Sequence, residues 1–265
     1  MIPNEGIAEN LYSLYGGLAE TGLVASGRAG GFEYVSHEGF AWPNMAYRPG
    51  RSGPAGREEI RLLKESMAAG DCPRLVLFDG TGMTGEVEGL LAAERFIGAT
   101  EWVNMYLPAG QPEVAGQREV IQPVVAGQRD LLSCRTIDAD DPREWDRWAS
   151  IVSGVLFRNM PLDPLLFRQA SVRTRFSLMT AYSDGEAVAA CLVYFGENAG
   201  LYMVATLPGF QGKGFGGRLM EHARSAAAAR GYGSVVLHST KAGLHFYKRL
   251  GFTSTGKLLL YYSMP

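Results

Sequence analysis

Gln211–Met220 reads QGKGFGGRLM: four glycines fall within seven positions, and the chain then runs into a segment with helical character. Glycine in a helix costs on the order of 1 kcal/mol relative to alanine. Four of them at a helix start imply that something comes very close to the backbone, and a phosphate is the obvious candidate. The first amides of a helix have no partner within it and the dipole end there is positive, so a pyrophosphate can accept several N–H bonds at once. Side chains would only stand in the way.

Three kinds of phosphate-binding loop compete for this stretch. A Walker-type loop needs Lys followed by Ser or Thr after its last glycine, whereas Phe215 follows Gly214. Gly212, Gly214 and Gly217 spell the dinucleotide pattern G-x-G-x-x-G, but the next strand ends at His238 and the remaining chain is too short to finish a doubly wound sheet. The third pattern, Q/R-x-x-G-x-G/A, is met by Gln211, Gly214 and Gly216. LYMVATLP stands before it (Leu201–Pro208) and HFYKRLGF after it (His245–Phe252). In these three elements and their order, residues 134–265 resemble the GNAT N-acetyltransferase superfamily.

The resemblance implies a chemistry and a set of residues. Acetyl-CoA would be the cosubstrate, its pyrophosphate held by the amides of Gln211, Gly212, Lys213, Gly214, Phe215 and Gly216, with Lys213 and Arg218 adding charge. Met203, Val204, Ala205 and Thr206 would bind the pantetheine arm through free backbone groups, one amide polarising the thioester carbonyl. An amine would attack the thioester directly, and Tyr247 matches the family's tyrosine that protonates the departing thiolate. The bland alternative is that Tyr247, three residues after Leu244, is one more core aromatic. Some members carry a glutamate as base early in the same strand, but Gly200 stands there, which leaves Glu197 and His238 as weaker candidates. Trp145, Trp148 and Phe157 fall where the family places its acceptor pocket, although most such aromatics serve the core. The competing class is non-catalytic: an acyl-CoA-binding sensor or interaction module that kept the loop and lost turnover.

The expected fold is α+β, a mixed and mostly antiparallel sheet flanked by helices, in two tandem domains at 1–130 and 131–265. In the second half, DPREWDRWASIVSGVLF reads as a helix capped by Asp140 or Asp141 with Pro142 in its first turn. Ala187–Phe195 and Leu201–Leu207 read as strands joined by GENAG, the glycine loop leads into a helix stopped by Gly231, and SVVLH, AGLHFYKRL and KLLLYY follow as strand, helix and strand. In the first half, helices are predicted near Ile7–Glu20 and Glu58–Ala69, and strands near Phe40–Tyr47, Arg74–Phe78 and Trp102–Leu107. Pro108–Asp130, with VAGQR twice, reads as an irregular connection. YRPGRSGPAGREEIRLLKESMAAGDCPRLVLF echoes the strand end, loop, helix and strand of the second half, as a degenerate GNAT-like unit would. Pro54 then stands where Gly214 does and removes a donor, so this half is not expected to bind the cofactor. Chance similarity, or a different α+β substrate domain, is the alternative.

Composition sets the remaining bounds. At 46% apolar and 20% charged residues the chain can bury a core, and it lacks both an export signal and a long apolar run, so a cytoplasmic protein without membrane contact is expected. Cys72, Cys134 and Cys191 are too scattered for a disulfide frame or a zinc site, and no metal is expected. Residues 1–130 carry 10 Lys/Arg against 17 Asp/Glu, and residues 131–265 carry 15 against 10. The acidic half suits a cationic amine acceptor, a small molecule drawn in near Glu33, Glu38 or Trp42, with a merely solvated charged surface as an equal alternative. No basic stripe interleaved with aromatics suggests nucleic acid, and a homodimer is left open.

Overall fold

Ile60, Leu63 and Met67 recur at helical spacing, and all three are buried on one face of a helix over Arg57–Ala69. Gly70 stops that helix in the left-handed conformation at φ 86°. The computed structural model to which this helix belongs describes residues 4–50, 53–108, 132–138, 140–173 and 175–265. The Pro108–Asp130 connection therefore lies, apart from Pro108 itself, outside the described residues. In chain order the elements are α1 (Asn4–Ala19), β1 (Ala25–Ala29), β2 (Phe32–Ser36), β3 (Asn44–Tyr47), α2 (Arg57–Ala69), β4 (Leu75–Asp79), α3 (Gly85–Ala93) and β5 (Phe96–Pro108). Then come β6 (Leu132–Thr136), α4 (Pro142–Leu156), α5 (Pro164–Arg173), β7 (Phe176–Ser183), β8 (Glu186–Phe195), β9 (Ala199–Thr206), α6 (Phe215–Ala229), β10 (Ser234–Ser239), α7 (Leu244–Arg249) and β11 (Thr253–Ser263). The fold is mixed α+β, with helices flanking mostly antiparallel strands.

Two compact units form, one from residues 1–106 and 236–265 and the other from 107–235. In the first, strands follow the order β1-β2-β3-β4-β11-β5-β10. There β3 and β4 run parallel, through the pair Ala46↔Val76. The division expected at residue 130 would keep the final strand with the second half. It enters the first unit instead, antiparallel to both β4 and β5, because Leu258 and Leu260 alternate into the core there at 0% and 7% exposure. The hairpin of β1 and β2, turned at Gly30 and Gly31, has no counterpart in the sequence reading; Gly27 sits across from Tyr34, whose ring occupies the place a Cβ would take, 2.6 Å from the hydroxyl.

The second unit has the antiparallel order β9-β8-β7-β6. Its first helix follows the sequence reading: Asp141 accepts from the Arg143 amide at 2.9 Å and Pro142 takes the first turn. Trp145, Trp148, Ile151 and Val152 form the buried stripe of α4. Trp148 is wholly enclosed, its ring 5.7 Å from that of Trp145 and 5.3 Å from that of Phe167 on α5. These two tryptophans are buried in the core; Phe157, at the end of α4, is half-buried. Among the described residues no helix is long and apolar enough to cross a membrane.

Placing β11 in the first unit has a measurable consequence. Leu258→Ala is expected to cost about 2–5 kcal/mol in denaturant unfolding and to raise hydrogen exchange across β4 and β5. Unchanged exchange in those two strands would contradict the placement.

Candidate functional site

Strand β9 is bent by one extra residue. Ala205 faces Ala190 and Tyr202 faces Leu192, so Met203 and Val204 together face Cys191 alone. This is a β-bulge, and it forces Met203 to φ 51°, a left-handed conformation uncommon for a side chain of this kind. The regular ladder is broken at the two residues expected to offer free backbone groups to a pantetheine arm. The bulge rests on a core side chain: the Trp148 indole N–H donates to the carbonyl of Cys191, across from the bulge, at 3.0 Å.

Beyond β9 the chain makes a short 3-10 turn, Pro208–Phe210, and then the glycine loop. Gly212 and Gly214 both adopt positive φ, 74° and 88°, with nothing within 4 Å of where a Cβ would stand. Arg218 donates the first bond of α6, to the Gly214 carbonyl at 3.1 Å, so the amides of Gly214, Phe215, Gly216 and Gly217 precede the helical ladder. No side chain caps this end. The result is an open cradle of backbone donors. Phe215 is buried against Phe210, ring centroids 5.7 Å apart, so it anchors the loop and offers only its amide. Lys213 is exposed, its ammonium 5.2 Å from the centre of the Phe210 ring, and Arg218 is exposed on the helix. Gln211 differs from its expected role. Its amide already bonds the Pro208 carbonyl at 3.4 Å and its side chain donates to the Thr206 carbonyl at 3.1 Å, so it braces the loop against the end of β9.

The HFYKRLGF segment has its own logic, within the first unit. Gly251, at φ 90°, donates to the Lys248 carbonyl (3.0 Å), and Phe252 donates to the Tyr247 carbonyl (3.1 Å). That pair is a Schellman cap on α7, and its usual apolar contact is present as Phe252 against the Tyr247 ring at 5.8 Å. On another side Gly243 makes room: a Cβ there would come within 3.1 Å of the tyrosine ring. The motif is thus a device that holds one half-buried tyrosine in a fixed pose.

Of the two proposed bases, Glu197 is exposed in the 196–198 turn. His238 Nδ1–H donates to the Asn104 Oδ1 atom at 2.7 Å, within the first unit, and burial lowers its pKa to about 3. So weak a base takes no proton from an ammonium. Among the acidic-half candidates, Glu33 is paired with Arg28 at 2.7 Å, Trp42 lies against the buried Tyr15, and Glu38 is exposed. Among the described residues no group of His, Cys, Asp or Glu could hold a metal.

The first unit repeats the order strand, connection, helix and strand as β3, a connection described at residues 48–50 and 53–56, α2 and β4. Here, however, the helix end supplies its own anion. Glu59 accepts from the Gly56 amide at 3.0 Å and pairs with Arg48 at 2.9 Å, while Arg48 also binds the Gly53 carbonyl at 2.8 Å.

Comparison with known proteins bears on the second of these loops. Residues 175–254 match the family described as acetyltransferase (GNAT) domain. Over this stretch the chain is similar to that family. Its fold is shared almost end to end with a GCN5-related N-acetyltransferase from Kribbella flavida, at 14% identity and a TM-score of 0.67, covering 97% of this chain and 96% of that one. A functionally unknown conserved protein from Staphylococcus epidermidis is similar at 11% identity and 0.58, covering 90% and 93%. A GCN5-related N-acetyltransferase from Sphaerobacter thermophilus is similar at 14% and 0.54, covering 78% and 66%. At such identities the likeness is one of fold. No curated protein sequence matches the chain. The matched stretch contains the bulge, the glycine loop and Tyr247.

The state of His238 sets a pH dependence of stability. Its folded pKa lies below the value of about 6.5 for a free imidazole, so between pH 6.5 and 3 the unfolded chain binds a proton that the folded one does not. Stability therefore falls as the pH falls through that window, by at most about 1.4 kcal/mol per unit from this residue. His238→Gln is expected to flatten the slope in urea titrations between pH 6.5 and 4.5; an equal slope in both proteins would refute the assignment.

Proposed function

We propose that the chain is an N-acyltransferase that takes an acetyl group from acetyl-CoA and delivers it to a primary amine by direct attack on the thioester. The observation that carries this reading is the set of unladdered amides at the tip of α6, opened by two left-handed glycines and preceded by a bulged strand. Acetyl-CoA supplies the acyl group in activated form. Gly212 through Gly216 would hold its pyrophosphate, helped by Lys213 and Arg218, with Gln211 as the brace. The backbone of Met203 through Thr206 would orient the pantetheine arm, and a bulge amide would polarise the carbonyl as charge builds on its oxygen. Tyr247 is assigned the proton donor to the leaving thiolate, on the motif it shares with the family and the fixed pose of its ring. At the corresponding helix end of the first unit Glu59 already occupies the Gly56 amide, which supports one coenzyme per chain.

No residue is assigned as base. An amine of pKa about 10.4 is neutral in about one molecule in 2,500 at pH 7, and water must carry the proton away. The rate constant kcat/KM for such an amine is expected to rise nearly tenfold per unit from pH 6 to 9, with no inflection near 6.5; an imidazole-like inflection there would restore a histidine base.

Titration calorimetry with acetyl-CoA is expected to give a stoichiometry of one, and Gly214→Val to weaken binding by about tenfold or more, through strain at positive φ and loss of the open cradle. Thiol release over a panel of polyamines, amino acids and aminoglycosides identifies the acceptor class. Tyr247→Phe is expected to lower kcat by about 100-fold with little change in coenzyme affinity. Coenzyme binding without thiol release above background, across the whole panel, would favour a sensor over an enzyme.

A further inference from the structure

We propose that Trp148 is a positioning residue for thioester chemistry: its indole N–H, by holding the Cys191 carbonyl, fixes the bulge whose amides meet the acyl carbonyl. This rests on the coenzyme reading above and adds to it a side chain that touches no substrate. The argument begins with two residues of β9, Met203 and Val204, facing one residue of β8. A bulge is a local choice among registers, and it can relax by shifting the extra residue along the strand. Met203 at φ 51° bears a conformational strain that the surroundings must hold in place.

The surroundings supply a directional hold at that spot. Trp148 Nε1 lies 3.0 Å from the carbonyl oxygen of Cys191, the one β8 residue on which both bulge residues converge. Trp148 has no exposed surface, and the rings of Trp145 and Phe167 lie against it at 5.7 and 5.3 Å, so its N–H direction is fixed by packing. A wholly buried donor has a strong demand for its acceptor, and the acceptor lies on the backbone that the bulge faces. Packing alone would be met by any large aromatic ring. The N–H requirement singles out tryptophan and ties the α4 stripe to the geometry of β9.

The test separates hydrogen bond from bulk. Two variants are compared with the wild-type protein: Trp148→Phe, and a protein carrying benzothienylalanine at position 148, which keeps the bicyclic shape and lacks the N–H. The probes are CoA, for affinity, and acetyl-CoA labelled with carbon-13 at the thioester carbonyl, for difference infrared spectroscopy of the bound state. In the wild-type protein the carbonyl band is expected below its position in free acetyl-CoA. In both variants it is expected to return toward the free position, while CoA affinity stays within about twofold and kcat falls about tenfold. Should Trp148→Phe fold poorly, the shape-preserving variant carries the comparison. Hydrogen exchange of the Met203 and Val204 amides, measured without ligand, is expected to quicken in it. A carbonyl band and exchange rates unchanged from wild type in the shape-preserving variant would overturn the role of Trp148 and leave the acyltransferase reading intact. Wild-type protein that binds neither CoA nor acetyl-CoA would instead overturn that reading and this inference with it.

Discussion

Backbone donors at the start of a helix have to meet an acceptor, and the two loops that follow β3 and β9 answer this demand in opposite ways. After β3, Glu59 turns back onto the Gly56 amide and Arg48 ties the carboxylate to the loop carbonyls. After β9, no side chain caps α6, and Gly212 and Gly214 keep the approach clear. One chain therefore contains the same order of elements twice, once with a carboxylate of its own on the first amide and once with no side-chain cap. The difference is made by a few residues: a glutamate three places into the first helix, and glycines in the second loop.

Around the open loop the supporting contacts run from buried to exposed. Trp148, enclosed in the core, bonds the strand opposite the bulge; Gln211 ties the end of the bulged strand β9 to the loop; Phe215 and Phe210 seat the loop on the helix. Each holds backbone rather than presenting a functional group. The same holds at α7, where a Schellman cap and Gly243 fix the ring of Tyr247. Sites of this kind depend on placement, since main-chain amides act only where the chain puts them.

The sequence made some of this legible. Asp141 and Pro142 announced α4, Gly231 and Gly251 marked helix ends, and QGKGFGG announced a close approach to backbone. In each case one or a few adjacent residues carry the signal and act on their own neighbours. The hairpin at Ala25–Ser36 is hard to read because ASGRA has no β-branched residue and takes its order from Tyr34 across the strand. Likewise FSLMTAYS on β7 is buried on both faces, so the alternation that would mark it is absent. The partners of β11 are illegible for a different reason: alternating leucines say strand but not which neighbour. In the site, the bulge escapes a sequence reading because Met203 takes a left-handed conformation without the glycine that usually signals one. The bond from Trp148 to Cys191 joins residues 43 apart in sequence.

The placement of β11 also bears on how the chain is made. Strands β4 and β5 leave the ribosome early, yet the strand that lies between them arrives only after the whole of residues 107–235 has been synthesised. Until then each has an unmade neighbour, and their backbone groups must be served by water or by temporary partners. The intervening unit is continuous in sequence and has no such wait for its own strands β6 through β9. Nascent first-unit segments thus carry a period of exposure that the second unit does not share, and it lasts as long as translation of the intervening stretch.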